Sequence, residues 1–116
     1  SSSGLPVEKS YNNYNKKFKV FNVKQIQSII SENDNTLLVF KTPWCLPCKK
    51  LDAVLNQFSL NNQKWKIISL NMDSNFNLAQ YYSIKSVPTI IAFNKSDIVM
   101  KHSGFLELSE LISKLP

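Results

Sequence analysis

Arginine is absent from this chain, histidine occurs once, and glycine and cysteine occur only twice each. With two glycines in 116 residues, collagenous and glycine-rich linker architectures are excluded. No apolar run approaches the roughly 18 residues needed to cross a bilayer, so no membrane association is expected. The opening Ser1-Ser2-Ser3-Gly4-Leu5-Pro6 lacks the apolar core of a secretory signal. It also lacks an initiating methionine, so it reads as a tag remnant or as a cut downstream of a lost targeting sequence. The start leaves the compartment open; a cytoplasmic setting is the expectation, or an organellar one if a targeting segment was removed. Without arginine, the net charge of +6 rests on fourteen lysines. A nucleic-acid footprint would cluster and favour arginine, whereas these lysines are scattered, so they read as a solvated surface and no nucleic-acid partner is expected.

The 43% hydrophobic share fits one ordinary globular domain able to bury a core without disulfide staples or a structural metal. A polar stretch over residues 1–16 reads as a flexible N-terminal arm or leftover, and residues 17–116 as the domain. Phe18-Lys19-Val20 alternates like a short edge strand. Asn22 with Gln25 three residues on predicts a capped helix whose Val23, Ile26, Ile29 and Ile30 share a face, ending at Asn33-Asp34-Asn35. Thr36-Leu37-Leu38-Val39-Phe40 reads as a strand covered on both faces, as does Ile67-Ile68-Ser69-Leu70. Between them Leu51, Val54, Leu55 and Phe58 recur with helical spacing, predicting a helix from about 46 to 59 and a right-handed parallel βαβ unit.

Asp73-Ser74-Asn75 is expected to cap a short helix carrying Leu78, Tyr81 and Tyr82. Thr89–Phe93 and Ile98–Met100 flank the polar turn Asn94-Lys95-Ser96-Asp97, as in an antiparallel hairpin. Leu108, Leu111, Ile112 and Leu115 mark a last helix. The order predicts an α/β fold with a central mixed sheet and helices on both faces.

Both cysteines lie three apart, in Trp44-Cys45-Leu46-Pro47-Cys48-Lys49, where a buried strand gives way to an amphipathic helix. A bridge over so short a loop constrains the unfolded chain by only about 2 kcal/mol, so chemistry explains the pair better than stability does. Helix N-termini present unpaired N–H groups and the positive end of the dipole, which favour a thiolate and make Cys45 the expected nucleophile. Cys48, one turn on, is placed to resolve a mixed disulfide formed at Cys45. Pro47 suits a first helical turn and stiffens the loop, while Lys49 and Lys50 add positive potential. A structural zinc site needs four ligands, and beyond the cysteines the sequence offers only His102, so no metal and no organic cofactor are expected. His102, Tyr81, Tyr82 and Asp52 read as edge, rim, core or solvated positions.

These residues resemble the thioredoxin family, whose motif is a Cys-x-x-Cys pair inside a βαβ unit. Trp44-Cys45 with Pro47-Cys48-Lys49 resembles its active-site run, with Leu46 in place of the usual glycine. Asn71-Met72-Asp73 resembles the end of its third strand, Val87-Pro88-Thr89 its cis-proline loop, and Gly104 the glycine after its last strand. The resemblance covers residues 18–115 and implies the thioredoxin fold. It also implies a cis Val87-Pro88 bond and a substrate surface in which the Val87 backbone pairs with an extended segment beside Trp44 and Pro88. Three departures stand out: Val39 replaces a buried carboxylate beneath the cysteines, Ser69 a nearby lysine and Lys41 a tryptophan.

The resulting expectation is a thiol–disulfide oxidoreductase that reduces protein disulfides through Cys45 and Cys48. It would be monomeric and be recharged by a thioredoxin reductase or another dithiol donor. An organellar oxidase or isomerase is the alternative in the same chemistry, and a non-catalytic thioredoxin-fold binding subunit the alternative outside it.

Overall fold

The computed structural model describes residues 20–116. Helix α1 spans Val23–Glu32, and its start is fixed as the sequence predicts: Asn22 accepts from the Gln25 N–H at 2.8 Å while Gln25 accepts from the Asn22 N–H at 2.9 Å. There follow β1 (Asn35–Lys41), α2 (Leu46–Asn61), β2 (Trp65–Asn71), α3 (Phe76–Tyr81), β3 (Thr89–Asn94), β4 (Asp97–Ser103) and α4 (Leu108–Lys114). The sheet order is β2-β1-β3-β4. β1 runs parallel to β2, as a βαβ unit requires, and antiparallel to β3, which pairs antiparallel with β4.

The central place of β1 follows from its composition. Five consecutive residues, Thr36 to Phe40, are buried because side chains alternate between two covered faces. Leu37 and Val39 enter one cluster with Leu51, Val54, Leu55 and Phe58 of α2 and Leu111 of α4. Leu38 and Phe40 enter the other with Ile26 and Ile30 of α1 and Leu78 of α3. Each large aliphatic or aromatic side chain so buried stabilises the fold by roughly 1.5–3 kcal/mol before entropy is counted. Helices on both faces of a mixed sheet match the predicted class.

Some local expectations are corrected. Phe18 and Lys19 of the expected first strand lie outside the described residues, and Val20 is exposed with no regular structure. Strand β2 is not sealed on both faces: among the described residues it is an edge strand, with Ile67 and Ile68 partly buried and Ser69 exposed. An apolar run reports hydrophobicity, not the number of neighbouring strands. The hairpin turn is tighter than its polar run suggests, since Asn94 pairs with Asp97 and only Lys95 and Ser96 turn the chain. Lys95 also donates from its backbone to Asp34 C=O at 2.9 Å and from Nζ to Asp34 Oδ1 at 2.8 Å. The Lys95 hydrogen bond and charge hold the Asp34 carboxyl below its usual range.

Asp73 does not cap α3. Asn75 occupies the N-cap without bonding the first turn; its Oδ1 accepts from the Phe21 N–H at 2.9 Å and its Nδ2 donates to Asn71 C=O at 3.0 Å. It joins the entry of α1 to the turn after β2, which accounts for a buried asparagine. Tyr81 and Tyr82 form an edge-on pair with centroids 4.9 Å apart, and Tyr82 also meets Phe93 edge-on at 5.9 Å. Burial, then the neighbouring Tyr81, pushes the Tyr82 phenol up. No helix among the described residues is long and apolar enough to cross a membrane.

Candidate active site

Strand β1 delivers the chain to a turn at Thr42–Cys45, closed by the Cys45 N–H donating to Thr42 C=O at 3.3 Å. Cys45 is the N-cap residue of α2, with Leu46 and Pro47 opening the first turn. Its Sγ accepts the Cys48 N–H at 3.2 Å, so a sulfur does what an oxygen does at most helix starts. Cys45 and Cys48 are joined as a disulfide with Cα atoms 5.2 Å apart. Both are nearly buried, while Trp44 and Leu46 beside them are 73% and 65% exposed. Pro43, Pro47, Lys49 and Lys50 are exposed too, so the sulfurs lie under an apolar rim with two cations at one side.

Sheet register brings three further segments to the same end of the molecule. Phe40 pairs with Thr89, so Val87 and Pro88, just before β3, sit at the end of β1 that leads to the cysteines. The Val87-Pro88 peptide is cis, as the resemblance implies, with Val87 half-buried and Pro88 buried. Thr89 pairs in turn with Ser103, and the Gly104 N–H donates to Pro88 C=O at 2.8 Å. Lys41 pairs with Asn71, and the Met72 N–H donates to Lys41 C=O at 2.8 Å. Trp44, Cys45, Pro47, Cys48, Lys49, Val87 and Pro88, distant in sequence, thus belong to one end of the sheet.

Gly104 adopts φ +96°, a conformation side chains rarely take, although a Cβ there would meet nothing within 4 Å. Gly104→Ala is therefore expected to cost about 1–2 kcal/mol through backbone strain alone. Denaturant melting checks this, and an unchanged midpoint would refute it.

Asp52 is not the solvated helix position its sequence setting suggests. Lys41 Nζ lies 2.6 Å from Asp52 Oδ1, tying β1 to α2 with side-chain exposures of 29% and 44%. Helical phase places Asp52 one turn after Cys48, but only the fold reveals its partner. Phe105, 37% exposed directly after Gly104, also went unmarked in the sequence. His102 sits on β4 opposite Ile90, with Nε2 buried and unpartnered. Among the described residues no group of three or more His, Cys, Asp or Glu could hold a metal ion.

A disulfide-bonded cysteine pair at a helix N-terminus, beside a cis-proline loop on an α/β sheet, has the arrangement of a thiol–disulfide exchange site. Comparison with known proteins agrees. The thioredoxin family model matches residues 13–116. The thioredoxin of Buchnera aphidicola is 33% identical over 92 residues, covering 76% of this chain and 85% of the relative. That of Bacillus subtilis is 31% identical over 94 residues, covering 76% and 90%. Among solved structures, Plasmodium falciparum thioredoxin superposes with a TM-score of 0.74 at 26% identity, covering 84% of this chain and 99% of that one. The chain belongs to the thioredoxin family, and it is a thiol–disulfide oxidoreductase, a reductant of the thioredoxin type.

Proposed function

We propose that Cys45 is the attacking thiol and Cys48 the resolving one in the reduction of protein disulfides. The observation that carries this is the position of Cys45 as N-cap of α2, its sulfur receiving an N–H from the first turn. The same N–H and dipole stabilise a thiolate there. In the reduced protein the Cys45 thiolate attacks one sulfur of a client disulfide. A Cys45–client S–S bond forms, the client bond breaks, and the departing sulfur leaves as a thiolate that takes up a proton. Cys48 then loses its proton and attacks Cys45 Sγ, closing the Cys45–Cys48 bond and releasing the second client thiol. Two electrons pass to the client.

Trp44, Val87 and Pro88 dock the client as an extended segment, the Val87 backbone offering strand-like pairing. Pro47 stiffens the loop, and Lys49 favours the thiolate. A thioredoxin reductase or another dithiol donor restores the pair. The working unit is a monomer whose catalytic domain spans residues 17–116, with residues 1–16 as a preceding arm.

Titrating the Cys45–Cys48 pair in glutathione buffers tests the reading, with thiol trapping as the measure and Trp44 fluorescence as the check. A midpoint at or below the poise of a reducing cytosol, about −220 to −260 mV by extraction, is the expected result. A midpoint near that of a strong oxidant, about −120 mV, would overturn the assignment as a reductant.

A further inference from the structure

Among the described residues, β1 and β3 place no ionisable side chain under α2 before Lys41 at the end of β1. The side of the sheet under α2 is built from Leu37 and Val39 of β1 and Ile90 and Ala92 of β3, all fully buried and none ionisable. From β2 that side receives Ser69 and Asn71, which are uncharged. Alternation from Leu37 and Val39 brings Lys41 to the same side, where it meets Asp52. Both partners stand one step from the sulfurs. Asp52 follows Cys48 by four residues on α2, a spacing that puts Cβ atoms roughly 5–6 Å apart. Lys41 precedes Thr42, whose carbonyl holds the Cys45 N–H. The pair is partly shielded from water, so its field reaches the sulfurs less screened than that of an exposed pair.

We propose that the Lys41–Asp52 ion pair is a positioning and charge-balancing element for the dithiol. Lys41 favours the thiolate, Asp52 opposes it, and the intact pair leaves the helix N-terminus to set the acidity of Cys45. This inference rests on the exchange chemistry proposed above. Other charges around the pair and the sulfurs are Lys49 and Lys50 on α2, Asp73 in the turn after β2 and His102 on β4. Helix α4, packed beside α2, adds Glu107, Glu110 and Lys114. None of these forms an ion pair with Lys41 or Asp52, so each variant below changes the balance at the pair itself.

The test is the pH dependence of iodoacetamide alkylation of the reduced full chain, with the modified thiol assigned by mass spectrometry, in wild type, Asp52→Asn, Lys41→Met and the double variant. Asp52→Asn leaves the ammonium unopposed and should move the alkylation midpoint down by about half a pH unit; Lys41→Met should move it up by a similar amount. The double variant should return close to wild type, and both shifts should shrink in high salt. Identical midpoints in all four proteins would overturn the proposal. So would shifts of the same sign in both single variants, the signature of a merely structural tie. If the wild-type dithiol fails to exchange with any disulfide, the exchange reading falls, while the signs of the shifts still decide the role of the pair.

Discussion

Cys48→Ser should accumulate a covalent adduct with a disulfide-bonded client, and Cys45→Ser should form none. In the first variant the attacking thiol is intact, but nothing one turn along α2 can displace the client sulfur, so exchange stops at the mixed disulfide. In the second, a serine hydroxyl stays protonated at neutral pH even at a helix N-terminus, and the first bond never forms. Turnover of a protein disulfide should fall by about four orders of magnitude or more in Cys45→Ser, the scale on which loss of a covalent nucleophile acts. Intact-protein mass spectrometry reads the adduct, which should disappear on adding a small dithiol. A Cys48→Ser protein that stays unmodified in the presence of an accessible disulfide would refute the order of roles. If both variants also kept the biological activity, the chain would be a binding module whose cysteines are incidental. The experiment therefore separates the two classes of function that the sequence leaves open.

The parts legible in advance are those that local chemistry decides. Asn22 and Gln25 cap α1 because both halves of the box lie within four residues, and Cys45, Pro47 and Cys48 declare a helix start because each suits a first turn for its own reason. Strand β1 was legible because five apolar or small residues in a row have no exposed face to offer. What failed depends on partners far along the chain. Ser69 lies in an apolar run yet is exposed, because coverage of β2 is a property of its neighbours. Asn75 holds the N-cap position that its sequence setting suggests, but its side chain accepts from Phe21, 54 residues away, and not from the first turn. Asp52 looks solvated, and the strand that supplies Lys41 cannot be read from helical periodicity. The site divides in the same way: the dithiol is local, while its alignment with Val87, Pro88 and Gly104 exists only through the registers of β1, β3 and β4.

Val39→Asp should destabilise the fold strongly, and increasingly so as pH rises. Val39 is fully buried among Leu37, Leu51, Val54 and Ile90. Its cross-strand neighbours are Ser69 on β2 and Ile90 on β3, so no cation faces it from either adjoining strand. A carboxylate there is desolvated without a partner, and its folded-state pKa should rise by about 3 units above the unfolded value near 3.9. Below that unfolded value the group is protonated in both states, and the variant pays only for a polar group in an apolar site. Between the two values the unfolded chain ionises first, and the gap from wild type widens by about 1.4 kcal/mol per pH unit. Near pH 7 the ionisation penalty reaches about 4 kcal/mol, a large part of the roughly 5–15 kcal/mol that holds a typical domain together. Denaturant melts of both proteins between pH 3.5 and 8 measure the gap. A difference that stays flat across that range would mean that the carboxylate has found water or a cation, and the picture of a charge-free floor beneath the dithiol would be wrong. Adding Ser69→Lys, directly across from position 39, should recover about 1 kcal/mol or more at neutral pH and little at pH 3.5, because only the ionised carboxylate gains from the new ammonium.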